Sequence, residues 1–193
     1  MEKILFINAC YNYEKSRTLY LAKKVFEKFD IDSNFDFEEV RLKDLHLLPL
    51  SEERLKLRFD LANKHLFDMD MLTYSKKVLS ADIVVIAAPF YDFSYPSILK
   101  LFIENVSVPN LMYTYSKDGY EGFARGRKFI YMTTRGSNLP DSEDFGYLSM
   151  DRMFKLFGFK ESQVIGFGGT DFVEDPYKEI DNMFKNIKNQ FKK

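Results

Sequence analysis

The sequence predicts an α/β fold, a five-stranded parallel sheet with helices on both faces. Three observations carry that prediction. Short apolar runs of strand length recur along the chain. Between them lie stretches whose apolar residues repeat at helical spacing. Strands interleaved with helices form parallel pairs joined by right-handed crossovers. The expected strand order is 2-1-3-4-5, in one domain covering residues 1–193, a length that suits a single core.

The first strand is expected at residues 3–9 (KILFINA), a short apolar run. From Ser16 the period changes, and Ala22, Val25, Phe26 and Phe29 mark one face of a helix. Residues 35–42 alternate through Phe35, Phe37, Val40 and Leu42 as a second strand. A charged stretch at 51–57 reads as a helical turn within a long connection. Phe67, Met71, Tyr74 and Val78 mark the second helix. Residues 82–88 (DIVVIAA) are the most apolar strand and belong at the centre, covered on both faces. Pro96 suits the start of a third helix, from which Leu99, Phe102, Ile103 and Val106 face inward. Alternating aromatics around Lys117-Asp118-Gly119 signal a hairpin over 112–122. A fourth strand (128–134), a fourth helix (145–157) and a fifth strand (163–168) follow. Ile180, Met183, Phe184, Ile187 and Phe191 set out the fifth helix.

Charge and composition exclude several function classes. Lys and Arg total 28 against 29 Asp and Glu, so no net basicity draws the chain to nucleic acid. A single Cys excludes an internal disulfide and a Cys-rich zinc module, and 2 widely separated His argue against a His-based metal site. No apolar run approaches membrane-span length, and the chain opens directly on a strand. The expectation is a cytoplasmic protein with no membrane partner. The aromatic content is 20 Phe, 12 Tyr and no Trp, which predicts a Phe-rich core.

In a sheet of this order, ligands bind beyond the carboxyl ends of the strands, where the order reverses. Three loops therefore matter. After the first strand, Ser16, Arg17 and Thr18 stand at a helix N-terminus, where free N–H groups and the helix dipole favour an anion. After the third strand, Pro89-Phe90-Tyr91-Asp92-Phe93-Ser94-Tyr95-Pro96 holds four aromatics in eight residues, a platform for a flat ring. After the fourth strand, Thr133-Thr134-Arg135-Gly136-Ser137-Asn138 supplies polar donors, with Gly136 permitting close backbone approach. An anion cradle, an aromatic platform and polar donors on one edge are what a flavin mononucleotide needs. No G-x-G-x-x-G and no P-loop occurs.

The segments INACYNYEKSRT, AAPFYDFSYPSILK, YTYSKDGYEG and FIYMTTRGS resemble, in order and over most of the chain, the FMN-dependent NADH azoreductase and quinone reductase family. The resemblance implies a flavodoxin-like fold, a homodimer with FMN at its interface, and ping-pong reduction of quinones and azo compounds by NADH or NADPH. It implies that Ser16, Arg17 and Thr18 hold the phosphate, and that Pro89, Phe90, Tyr91, Asp92 and Phe93 lie along the isoalloxazine. Thr134, Arg135, Gly136 and Ser137 would meet the pyrimidine end. Tyr113, on the hairpin, either walls the substrate pocket across the dimer or packs within the hairpin and core, and no side chain is singled out as catalytic. Two positions depart from the family's usual pattern. Ala9 stands where a Ser is common and Asp92 where an Asn is common, which leaves FAD open as an alternative to FMN.

Two other classes compete. Low-molecular-weight tyrosine phosphatases carry a C-x5-R loop after the first strand and an Asp-Pro acid near the C-terminus. This chain has Cys10 and Asp175-Pro176, but six residues separate Cys10 from Arg17 and the loop has no Gly. A flavin-binding electron-transfer module without a small-molecule acceptor is the third reading.

Overall fold

The structure, a computed structural model, describes residues 1–191. Five strands form one parallel sheet: β1 (Lys3–Asn8), β2 (Asp36–Arg41), β3 (Ile83–Ala87), β6 (Lys128–Thr134) and β7 (Glu161–Phe167). Two more, β4 (Tyr113–Ser116) and β5 (Gly119–Gly122), pair as a separate antiparallel hairpin. The sheet order is β2-β1-β3-β6-β7, the expected 2-1-3-4-5 once the hairpin strands are numbered. All five residues of β3 are buried, as the apolar run requires.

Alternation along each strand divides the core into two layers. Ile4, Phe6, Ile83, Val85, Ile130 and Met132 face α1 (Arg17–Lys28) and α7 (Pro176–Phe184). Leu5, Ile7, Val84, Ile86, Phe129 and Tyr131 face the other layer, built from α3 (Glu52–Asn63), α4 (Thr73–Ser80), α5 (Ser97–Val106) and α6 (Phe145–Phe157). One turn of helix, α2 (Ile31–Asn34), leads into β2. The Phe-rich core is realised: Phe129 and Phe154 stack at 4.1 Å with rings 5° apart, and Phe157 and Phe159 pack edge-on against Phe154.

Three elements differ from the sequence expectation. The charged stretch after residue 51 is a full helix rather than a turn. Ser51 caps it by accepting from Arg54 N–H at 3.3 Å, and Glu52 and Glu53 suit its positive end. Its hold on α5 comes partly from arginines, Arg54 to Asn105 at 3.0 Å and Arg58 to the Glu104 carbonyl at 2.5 Å, so it shows little apolar periodicity. The second expected helix starts later, at Thr73, and Phe67 packs on the core from the turn before it. The last helix ends at Phe184, where Lys28 takes up the carbonyls of Phe184, Lys185 and Ile187 at 2.8–3.3 Å. Phe191 lies beyond the helix, buried among Phe26, Phe29 and Phe35.

The hairpin docks on the C-terminal end of α6. Gly158, at φ 110°, ends that helix in the left-handed region, and a Cβ on Gly122 would come within 2.3 Å of the Gly158 nitrogen. Removing the ring at the centre of the aromatic stack is expected to be costly. Phe154→Ala should lower unfolding free energy by about 3–5 kcal/mol in urea titration. A loss below about 1.5 kcal/mol would show that the stack is not a closed part of the core.

Candidate functional site

The loops after β1, β3, β6 and β7 converge beyond one edge of the sheet around a cleft of about 500 Å³. It is lined by Tyr11, Asn12, Lys15, Ser16, Arg17, Thr18, Pro89, Phe90, Tyr91, Thr134, Gly136, Thr170 and Asp171. The loop after β1 is held by its own polar atoms. Asn8 accepts from Cys10 N–H at 3.0 Å and donates to Glu39 at 2.9 Å. Asn12 Oδ1 accepts from the N–H groups of Glu14 and Lys15, and the Asn12 carbonyl accepts from Ser16 N–H. Tyr13 carries Lys43 3.5 Å above its ring, with Arg41 at 5.5 Å. Ser16 then caps α1 by accepting from Leu19 N–H at 3.1 Å. The N–H groups of Arg17 and Thr18 have no intrahelical acceptor. Lys15 and Arg17 line the cleft beside these two N–H groups.

The loop after β3 is a tight hairpin turn. Tyr91 and Ser94 exchange both backbone hydrogen bonds, at 2.9 and 2.8 Å. Between them Asp92 and Phe93 sit at φ 49° and 63°, the two-residue geometry that usually takes Asn-Gly. A phenylalanine there is strained, and such strain persists where the surrounding structure over-determines the turn. The turn leaves Tyr91 48% and Phe93 60% exposed. Phe90 N–H bonds to the Thr134 carbonyl at 3.3 Å, which ties this loop to the one after β6.

The structure brings Ser16, Arg17, Thr18, Pro89, Phe90, Tyr91, Thr134 and Gly136 to one cleft. It does not bring the other expected site residues there. Asp92 and Phe93 lie at the tip of the exposed turn. Thr18 lines the cleft, but its buried hydroxyl is shared with Thr134 at 2.7 Å, a cross-tie between two loops. Ser137 is exposed, and its carbonyl accepts from Gly169 N–H. Arg135 turns inward, nearly fully buried, against Asp141 at 2.6 Å and Asp144 at 3.3 Å. Burial raises the Asp144 carboxyl above its usual range, opposed by Tyr147 N–H and by Arg135. Tyr113 stacks on Phe157 at 6.2 Å and lines a different cavity, with Arg58 and Tyr95.

Sequence reasoning missed Tyr11, Asn12, Lys15, Thr170 and Asp171. Lys15 follows Glu14 in an exposed loop and reads there as a solvated charge. Thr170 and Asp171 follow the edge strand β7, outside the three loops that the strand order singles out. The one available signal was Gly168-Gly169, marking a sharp turn just before them.

The surroundings of Cys10 and Asp175 do not favour the chemistry of a phosphatase. Cys10 is buried, its Sγ is 3.7 Å from the Ala87 carbonyl, and burial pushes its pKa up to about 11 despite nearby Ser16 and Leu19 N–H. Asp175 is a helix cap, accepting from Tyr177 and Lys178 N–H at 3.0 and 3.1 Å. Pro176 follows at the first position of α7.

This architecture is a doubly wound α/β protein whose cleft at the strand carboxyl edge is lined by cations, a helix N-terminus and aromatic side chains. A family profile described as flavodoxin-like fold matches residues 2–191, and the chain belongs to that family. It is 29% identical over 192 residues to FMN-dependent NADH:quinone oxidoreductase 2 of Clostridium acetobutylicum, covering 97% of this chain and 91% of the relative. It is 31% identical over 166 residues to FMN-dependent NADH:quinone oxidoreductase of Stenotrophomonas maltophilia, covering 84% of this chain and 82% of the relative. The crystal structure of azoreductase from Bacillus anthracis str. Sterne superposes with a TM-score of 0.80 at 20% identity, covering 95% of each chain.

Two outcomes check these placements. Arg135→Leu leaves Asp141 and the buried Asp144 without their cation and should cost about 3–5 kcal/mol in chemical denaturation. A variant of wild-type stability with weakened ligand binding would return Arg135 to the cleft. With a pKa near 11, only about one thiol in a thousand is ionised at pH 8. Cys10 should therefore resist alkylation in the native protein at pH 8 and react about tenfold faster per added pH unit while the fold holds. Rapid labelling at neutral pH would contradict the burial.

Proposed function

We propose that this chain is an FMN-dependent NAD(P)H oxidoreductase that reduces quinones and azo compounds by a ping-pong route. The observation that carries the proposal is the shared cleft. The cations Lys15 and Arg17 and the first turn of α1 lie at one part of its wall, and Phe90 and Tyr91 at another. The names of the relatives point the same way. A cleft of about 500 Å³ is of cofactor size.

The donor set fits FMN. Ser16, Lys15, Arg17 and the Arg17 and Thr18 N–H groups suit a phosphate dianion. Pro89, Phe90 and Tyr91 offer a flat apolar wall to the isoalloxazine, and Thr134 and Gly136 supply polar contacts to its pyrimidine edge. When bound, FMN would supply the two-electron chemistry between NAD(P)H and the acceptor. The protein's own part is to anchor the phosphate, seat the ring and keep one ring face open to the two substrates in turn. No side chain need transfer a proton to the ring for that. Asp92 and Phe93 stand outside the cleft at the exposed tip of the turn; they would meet the ring only with that turn folded over it, where the Asp92 carboxylate would accept from the imide N–H. Arg135 and Ser137 act indirectly, by holding the loop after β6 in place. We further propose a cytoplasmic homodimer in which the exposed Tyr91 and Phe93 are covered. In that dimer Tyr113 and its hairpin wall the acceptor pocket of the second copy. The whole chain then works as one flavin-binding unit.

Steady-state kinetics test the function directly. FMN-loaded protein should oxidise NADH with a quinone and give parallel double-reciprocal lines. FMN binding without quinone turnover would instead support the electron-transfer module. Arg17→Ala should weaken FMN at least tenfold, since a hydrogen bond to a charged group is worth about 1.5–3 kcal/mol. Unchanged affinity in a fluorescence titration would remove Arg17 from the phosphate site.

A further inference from the structure

The cation at the head of α1 is already engaged. Arg17 Nη1 donates to Asp171 Oδ1 at 2.7 Å and to Thr170 Oγ1 at 2.8 Å. All three residues line the same cleft as Lys15 and Ser16. A carboxylate at an anion site works against the site. Lys15 and Arg17 bring two positive charges to the lining and Asp171 takes one away, leaving one to meet a dianion. The carboxylate also occupies a guanidinium nitrogen that a phosphate would use.

Asp171 is built into place. Its N–H bonds to the Gly136 carbonyl at 3.2 Å. Its Oδ2 fills the space that a side chain at Gly136 would need, since a Cβ there would lie 2.1 Å away. Any other residue at 136 would force that carboxylate to shift. The neighbouring Thr170 is buried, and its hydroxyl donates to the Arg135 carbonyl at 3.0 Å while accepting from Arg17. The loops after β6 and β7 thus hold a counter-charge against the loop after β1. The Asp171 side chain is 64% exposed, so water can solvate it once Arg17 turns away.

We propose that Asp171 is a specificity-determining counter-anion. It pairs with Arg17 when no phosphate is present and gives Arg17 up to the phosphate of the incoming flavin. This rests on the reading that the cleft takes FMN. The exchange charges a penalty chiefly to the phosphate end of the ligand. It lowers affinity for the phosphorylated flavin more than for the ring alone, and makes the cofactor exchangeable. Like charges a few ångströms apart repel even when solvent screens them.

The test compares FMN with riboflavin, which has the ring and lacks the phosphate, on the wild type and on Asp171→Asn, by flavin fluorescence titration. The expected result is FMN binding at least about fivefold tighter in the variant, with riboflavin changed by less than about twofold. Asp171→Ala, which also removes the contact with Gly136, should shift FMN in the same direction. FMN binding that is unchanged or weaker in both variants overturns the proposal and makes Asp171 a residue that orients Arg17. Inorganic phosphate provides a readout independent of flavin. It should raise the melting temperature of Asp171→Asn by more than that of the wild type. If neither flavin binds the wild type, the FMN reading fails and the phosphate shift alone decides the counter-anion. A larger shift in the variant then supports it, and an equal or smaller one overturns it.

Discussion

The parallel ladder does not stop where the strands end. Ala9 N–H bonds to the Ala87 carbonyl, Ala88 to Met132, Phe90 to Thr134 and Arg135 to Phe167, carrying the sheet register out into the loops. Everything at the site depends on this continuation. It fixes four loops relative to one another with backbone hydrogen bonds, before any side chain contributes. The Thr18–Thr134 hydroxyl contact and the Arg17 bonds to Thr170 and Asp171 then close the ring of loops from the side. The cleft is therefore an extension of the sheet and inherits its rigidity. Side chains on those loops can be aimed without a separate scaffold.

The same constraint explains the division of labour among polar groups. Arg135 follows β6 directly, its N–H held to β7 and its carbonyl to Thr170 in the loop after β7, and its long side chain drops into the layer below. There Asp141 and Asp144 receive it, and Asp144 also caps α6 by accepting from Tyr147 N–H at 2.9 Å. A buried charge needs such partners, and their removal leaves an uncompensated ion. Arg17 starts a helix instead, where its side chain reaches across the rim to Thr170 and Asp171. Two arginines, each next to a hydroxyl residue in sequence, thus end in a packed interior and at an open ligand end.

Much of this was legible in the sequence. The layer order, the five sheet strands and the hairpin follow from apolar runs and turn residues, and β6 matches its expected bounds of 128–134. That the loops after β1 and β3 meet at one cleft was legible because a helix start and a cluster of exposed aromatics are both local signals. What was not legible depends on long-range placement. The inward turn of Arg135 is set by acids six and nine residues later, whose approach a one-dimensional pattern does not show. Lys15 looks like a solvated charge until the loop folds over the cleft. Asp171 lies far along the chain from Arg17, and only the β6–β7 pairing brings them together. The full length of α3 was not legible because it binds α5 partly through guanidinium groups, which leave little apolar stripe.

The central claim is that one cleft holds both ends of one flavin, with the phosphate at the head of α1 and the ring against the loop after β3. A crystal structure of the protein soaked with FMN tests it most directly. The account predicts phosphate oxygens within hydrogen-bond distance of Ser16, Arg17 and the first N–H groups of α1, with the isoalloxazine lying along Pro89, Phe90 and Tyr91. Flavin density in another cavity, or with the ring at Arg17 and the phosphate among the aromatics, would contradict it.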